Sequence, residues 1–242
     1  MNEVWPVNML REDIQRMWVK TVGIRFQPLV CLASGKQEGQ EILAMLGPGT
    51  EPETFYRSIS HDVCLAQFFD QVDFITQRKL PGLSFLNLPS GILVDTGCLR
   101  RLNRLRPCYR ENLVIEIQEP IEMVISDDSR AQAMAAGMNY LSRSGWQIWA
   151  DDLTPHLCRA LNRRQFCFDG VKIDRHEICR HRAYGAASLS ALVIEARKLV
   201  KGGRNRVVIE GIETMTDLEY ARQSGASWGQ GYVWPEALLR FR

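Results

Sequence analysis

What the sequence lacks narrows its class. No apolar run approaches the roughly 20 residues that a bilayer-crossing helix needs, so no membrane segment is expected. The first residues show no basic stretch followed by an apolar core and a cleavage site, so no signal peptide is expected either. The seven cysteines include no Cys-x-x-Cys pair. An odd number at irregular spacing suits neither a disulfide framework nor a zinc site. Cys31, Cys64 and Cys167 stand in apolar surroundings and read as buried thiols in a reducing cytosol, so the expected location is cytoplasmic. An excess of one charge is also missing. Thirty basic and 28 acidic residues leave a formal net charge of +2, too balanced to indicate a nucleic-acid partner or a bilayer surface. The arginines of Leu99–Arg106 read as a solvated helix face. There is no internal repeat and no low-complexity segment.

What is present suits one folded domain. The chain has 242 residues, of which 45% are hydrophobic and 24% charged. That supports a sizeable core, and the length fits one α/β barrel or one doubly wound domain. Residues 1–20 carry apolar positions at roughly helical spacing and read as an N-terminal helical extension; residues 21–242 read as the domain. Val22–Val30 is a strand interrupted near its end by Pro28, Ser34–Gly39 a turn, and Gln40–Leu46 a second strand. Residues 52–78 are helical in pattern. Strands then alternate with helices. The predicted strands are Leu83–Leu88, Leu113–Gln118, Trp146–Asp151, Phe168–Asp174, Val207–Gly211 and Ser227–Val233. The predicted helices lie near 99–105, 129–143, 155–163, 187–200 and 216–223. This alternation argues for a parallel sheet. About eight strands without a composition shift favour closure into a barrel of TIM type over an open doubly wound sheet.

The polar residues fall at strand ends. Asn87, Glu116, Glu119, Asp151, Asp152, Lys172, Asp174, Glu210, Glu213 and Gln230 lie in or just after the C-terminal parts of otherwise apolar strands, and Glu41 lies early in the second. In a parallel barrel these ends gather at one rim, where the reacting centre is expected. So many acids on one rim repel unless a counter-charge meets them. Carboxylates with an amide oxygen suit hard cations such as magnesium or manganese. No histidine stands at these strand ends, which argues against zinc; His61, His156, His176 and His181 read as surface or packing residues. A carboxylate-rich site with two cations would hold a phosphate and activate water for in-line attack on phosphorus. Lys172 could orient that water or neutralise developing charge.

Eight short stretches in order resemble the EAL family, bacterial phosphodiesterases of cyclic dimeric GMP. They are Phe26-Gln-Pro-Leu-Val30, Glu41-Ile-Leu43, Phe85-Leu-Asn-Leu88, Ile115-Glu-Ile-Gln-Glu119, Ala150-Asp-Asp-Leu153, Val171-Lys-Ile-Asp-Arg175, Ile209-Glu-Gly-Ile-Glu-Thr214 and Gln230-Gly-Tyr232. The resemblance implies a modified TIM barrel, α/β, with the first strand antiparallel to the rest. It implies hydrolysis of cyclic dimeric GMP to linear pGpG with magnesium or manganese, two ions, lowering a messenger that controls motility, adhesion and biofilm. By the same resemblance the metal ligands are Glu41, Asn87, Glu116, Asp151 and Asp152. Lys172 pairs with the attacking water, and Glu210 is a further acidic member of the catalytic set with Glu41. Gln27 and Gln230 position water or substrate, and Glu119 steadies the loop after the aspartates. Glu213 matches a family acid without a firm role. A homodimer is the expected assembly.

Three departures qualify this. A phosphate-contacting arginine of the family is Met45 here, and one lost charged hydrogen bond weakens binding by about 1.5–3 kcal/mol. The glycine-containing loop after the aspartates reads Leu153-Thr-Pro-His-Leu-Cys-Arg159, with Pro155 restricting the backbone. The family's Ala-Glu near residues 59–61 is lost. The alternative expectation is therefore a weak or inactive EAL module acting as a receptor or protein-binding regulator.

Overall fold

The computed structural model describes residues 21–118, 121 and 125–240. The expected N-terminal helix and Glu119 lie outside the described residues. The strands are β1 (Thr21–Cys31), β2 (Gln37–Leu46), β3 (Leu83–Pro89), β4 (Leu113–Gln118), β5 (Gln147–Leu153), β6 (Gly170–Ile173), β7 (Val207–Ile209), β8 (Trp228–Gly229) and β9 (Ala237–Arg240). From β2 to β8 each strand pairs in parallel with the next. β1 lies antiparallel between β2 and β8 and closes an eight-strand barrel. The predicted architecture, first strand reversed, is the observed one. β9 adds to β1 outside the barrel order, pairing Gly23–Phe26 with Ala237–Arg240.

The described helices are α1 (Pro52–Ser58), α2 (His61–Arg78), α3 (Thr96–Leu102), α4 (Pro107–Arg110), α5 (Asp128–Arg143), α6 (Pro155–Arg163), α7 (Arg175–Arg182), α8 (Ala186–Arg197) and α9 (Met215–Gln223). Side chains alternate across each strand. One set, including Ile115, Ile117, Ile148, Ala150, Val171, Ile173, Val207 and Ile209, packs in the main core. The other set fills the barrel: Leu29, Phe85, Val114, Trp149 and Val208, with Trp228 against them. Phe85 meets Trp149 edge-on with centroids 5.1 Å apart, and Trp149 stacks on Trp228 at 5.3 Å. Gly170 makes room for this plug, since a Cβ there would stand 2.3 Å from the Trp149 indole.

Local chemistry explains where the elements depart from the periodicity. Pro28 does not interrupt β1, which pairs with β2 from Thr21 to Val30. The predicted turn up to Gly39 gives part of its length to β2. The helical stretch 52–78 splits because Ser60 is extended and its hydroxyl accepts from the Val63 N–H, starting a new helix. Asp95 caps α3 from Gly97 and Cys98, so that helix begins earlier than 99. α7 and β9 are too short to announce themselves by periodicity. Two cysteines differ from expectation: Cys64 is buried, but Cys31 is half-buried and Cys167 exposed. Cys167 belongs to the short link between α6 and β6, where the apolar neighbours turn inward without it.

Candidate active site

Along five of the parallel strands the polar group follows an apolar residue two positions earlier, on the same face; on β2 the residue before Glu41 on that face is Gly39. Phe85 precedes Asn87, Val114 precedes Glu116, Trp149 precedes Asp151, Val208 precedes Glu210, and Trp228 precedes Gln230. Gly170 precedes Lys172 where the Trp149 ring already fills the floor. On the reversed strand the order inverts, and Leu29 follows Gln27. The result is an apolar floor with a polar layer above it at the C-terminal ends of the parallel strands. The pairing that sequence reasoning missed is this floor. Its signal was the apolar residue two positions before Asn87, Glu116, Asp151, Glu210 and Gln230.

Lys172 stands at the centre of the polar layer and is fully buried. Its ammonium is 2.6 Å from Glu210 Oε1, 2.9 Å from Glu41 Oε2, 3.1 Å from Glu116 Oε1 and 3.5 Å from Asp151 Oδ1. Asn87 donates to Glu41 Oε1 at 2.7 Å. Gln230 donates to Glu41 Oε2 at 2.6 Å and to Gln27 Oε1 at 2.8 Å. Glu41, Asn87, Glu116, Asp151, Lys172, Glu210, Gln27 and Gln230 are thus one connected constellation. Asp152 joins at its edge, donating its backbone N–H to Asp151 Oδ1 at 2.9 Å. Its φ of +53° is a conformation that costs a non-glycine residue energy.

Two of the strand-end acids serve elsewhere. Asp174 caps α7, accepting from the His176 N–H at 2.7 Å. Glu213 is exposed, and its backbone N–H donates to Asp217. That aspartate forms a capping box with Thr214 at the start of α9 and pairs with Arg182, so it fixes the loop after β7.

Four carboxylates around one ammonium leave an uncompensated negative charge in a buried place. Burial disfavours an ionised Glu41, yet Lys172, Asn87 and Gln230 together outweigh it and hold Glu41 below its ordinary range. For Glu116, burial and then its acidic neighbours prevail over Lys172 and push the carboxyl well above its ordinary value. Glu210 and Asp151 are raised for the same reasons. Burial works against the charged form of Lys172, but Asp151, Glu116, Glu210 and Glu41 overcome it and hold the ammonium charged. Without a further cation Glu116, Asp151 and Glu210 therefore hold their protons to higher pH than ordinary carboxyls do.

A divalent cation fits these residues. Glu116 Oε2 and Asn87 Oδ1 are buried without a hydrogen-bond partner, and Glu116 Oε1 meets only the Lys172 ammonium, an arrangement native proteins seldom leave unanswered. Carboxylate oxygens of Glu41, Glu116 and Asp151 lie within 4.8 Å of one another, as do those of Asp151, Asp152 and Glu210. The two triads share Asp151. All-oxygen donors of this kind suit hard cations. A third grouping, His61, Asp95 and Cys98, lies outside this layer; its Asp95–Cys98 approach is that of a helix cap to the residue it caps.

The stretch after the aspartates is ordered as a helix start. β5 runs on to Leu153, Thr154 accepts from the Leu157 N–H at 3.2 Å, and Pro155 occupies the first turn of α6. Proline there loses no hydrogen bond, and threonine is a preferred cap.

Comparison with known proteins agrees with this architecture. The family model described as EAL domain matches residues 7–237. A curated relative, the probable cyclic di-GMP phosphodiesterase PdeB of Escherichia coli strain K12, is 25% identical over 246 residues. That match covers 96% of this chain but 45% of the relative, so the chain spans about half of that protein's length. An EAL domain protein from Listeria monocytogenes superposes with a TM-score of 0.72 at 20% identity, covering 96% of this chain and 95% of the other. Klebsiella pneumoniae BlrP1, in a complex with manganese and cyclic di-GMP, gives 0.72 at 21% identity, covering 90% of this chain and 57% of that one. With the barrel, its reversed first strand and a match along nearly its whole length, the chain belongs to the EAL domain family.

Proposed function

We propose that the chain hydrolyses cyclic dimeric GMP to linear pGpG with magnesium or manganese. The observation that carries this reading is the polar layer itself: four acids and an asparagine converge on a buried lysine, with ligand oxygens left unpartnered. Glu41, Asn87, Glu116, Asp151 and Asp152 are the residues that would hold two ions, with Glu210 completing the second triad. Bound there, divalent cations supply charge neutralisation at phosphorus and a nucleophile from water at neutral pH. The chain's own groups do the rest. Lys172 holds its proton and supplies a fixed positive charge at the reacting end. Gln230, anchored on Glu41 and Gln27, orients water or a phosphate oxygen. The apolar floor of Phe85, Val114, Trp149 and Val208 closes the barrel beneath and keeps water to the rim side. The related proteins named above, one a probable phosphodiesterase of this nucleotide and one complexed with it, support the choice of substrate. As the family resemblance implies, turnover would lower a messenger of motility, adhesion and biofilm, and the assembly would be a homodimer.

A second reading is favoured by one local observation. Thr154 and Pro155 tie the aspartate strand directly to a capped helix, and Met45 stands where a charged residue is expected. A site stiffened in this way could bind the nucleotide as a receptor and turn it over slowly. Parallel measurement of binding and product separates the two. Turnover to pGpG with either metal supports the enzyme, and tight binding with no product supports the receptor.

A further inference from the structure

The rim above Glu41 and Gln27 carries a cation that none of the motif stretches includes. In the β1–β2 ladder Gln27 faces Glu41, Arg25 faces Leu43 and Gly23 faces Met45, with an unbroken register from Gly23 to Leu29. Directly opposed residues of an antiparallel pair project from the same face. Arg25 therefore shares the face of Leu29, Gln27 and Glu41, whose side chains lie within the barrel. β1 runs opposite to β2, so Arg25 stands about 7 Å beyond Gln27 toward the open rim. It is the diagonal neighbour of Met45 across the ladder.

The Arg25 head is only loosely held. Its Nε lies 3.6 Å from Glu236 Oε2, beyond hydrogen-bond range, and 40% of its side chain is exposed. Glu236 precedes β9, the strand paired with β1 at this level, and its Oε1 is buried without a hydrogen-bond partner. A surface pair at such a distance contributes little to stability. A guanidinium at the rim of an acid-rich layer is well placed for an anion lying across it, because its planar donors match a phosphate oxygen pair.

We propose that Arg25 binds a phosphate of the substrate from the β1 side, in place of the charge that Met45 lacks. The inference rests on the proposed phosphodiester substrate. Glu236 holds the guanidinium when no anion is present and yields it when one arrives. Leu43 and Met45 leave the neighbouring β2 edge without a competing cation.

Calorimetric titration of cyclic dimeric GMP, in EDTA and again with calcium, tests this on four chains: the parent, Arg25→Ala, Glu236→Gln and Arg25→Ala/Met45→Arg. Thermal denaturation serves as the control on folding. The expected result is binding weakened about tenfold or more in Arg25→Ala, the loss of a charged hydrogen bond. Glu236→Gln should bind at least as tightly as the parent, and the double variant should recover affinity. Equal binding by the parent and Arg25→Ala overturns the role of Arg25 while leaving the proposed substrate standing. Equal weakening by Arg25→Ala and Glu236→Gln also overturns it, since the pair would then be structural. No binding by the parent in either condition overturns this role and the proposed substrate together.

Discussion

At the scale of single residues, Lys172 decides the state of the site before any ion arrives. It is the one positive charge within 3.5 Å of Glu41, Glu116, Asp151 and Glu210 among the described residues. Its folded pKa lies above its ordinary value, so its contribution is fully present at neutral pH and is lost only as pH rises through that folded pKa. Lys172→Met leaves the acids buried and unpaired, and should cost the metal-free chain about 3–5 kcal/mol in urea denaturation. The acids would then hold protons that they release on unfolding, so the deficit should shrink as pH falls. A deficit unchanged between pH 5 and 8 would speak against this picture. Asp70, on α2, gives a simpler case. Burial and then the neighbouring Asp73 push its pKa up to about 7 from an ordinary 3.8, and its Oδ2 is buried without a partner. The folded chain thus binds the extra proton between those values, and stability falls as pH rises through that window. Asp70→Asn should remove that slope and stabilise the chain at pH 8 by about 1–2 kcal/mol, allowing for solvent screening. Parallel pH–stability curves for parent and variant would refute the assignment.

At the scale of elements, the junction between β5 and α6 stands where the family resemblance implies a glycine-containing loop. By the family resemblance Leu153 to Arg159 replaces a glycine-containing loop, while the residue pattern places a helix near 155–163. In the structure it is the end of a strand, a threonine cap and a proline-started helix. Pro155 and Thr154 suit each other so well locally that the segment needs no loop conformation. Asp152 sits immediately before this junction at a positive φ, so the junction's stiffness bears on how freely that carboxylate can move. Replacing Thr154, Pro155 and His156 with glycines, which spares the buried Leu153 and Leu157, should cost about 1–2 kcal/mol through the lost cap and helix start. It should also raise turnover of cyclic dimeric GMP. A variant that is destabilised with unchanged turnover would separate the junction from the chemistry.

At the scale of the whole molecule, a barrel that closes only through its reversed first strand brings distant residues to one layer. Much of this was readable in the residues. The alternation of apolar runs and helical stretches implied the barrel, and the polar ends of the strands marked the rim. What was not readable had physical causes. Asp174 and Glu213 sit at strand ends like the others, but one caps a helix and the other turns to solvent, a choice made by loop geometry. Arg25 lies in no motif, and only the register of β1 on β2 puts it on the site's face. α7 and β9 were too short for a periodic signal, and Pro28 proved compatible with an edge that β9 and β8 share between them.

The most direct test of the central reading is the product formed when the purified chain meets cyclic dimeric GMP with manganese or magnesium. The proposed hydrolysis predicts linear pGpG, no product in EDTA, and loss of turnover by two orders of magnitude or more in Glu41→Ala, as expected when metal-dependent charge stabilisation is removed. Turnover that survives in Glu41→Ala, or no turnover by the parent with either metal, would contradict it.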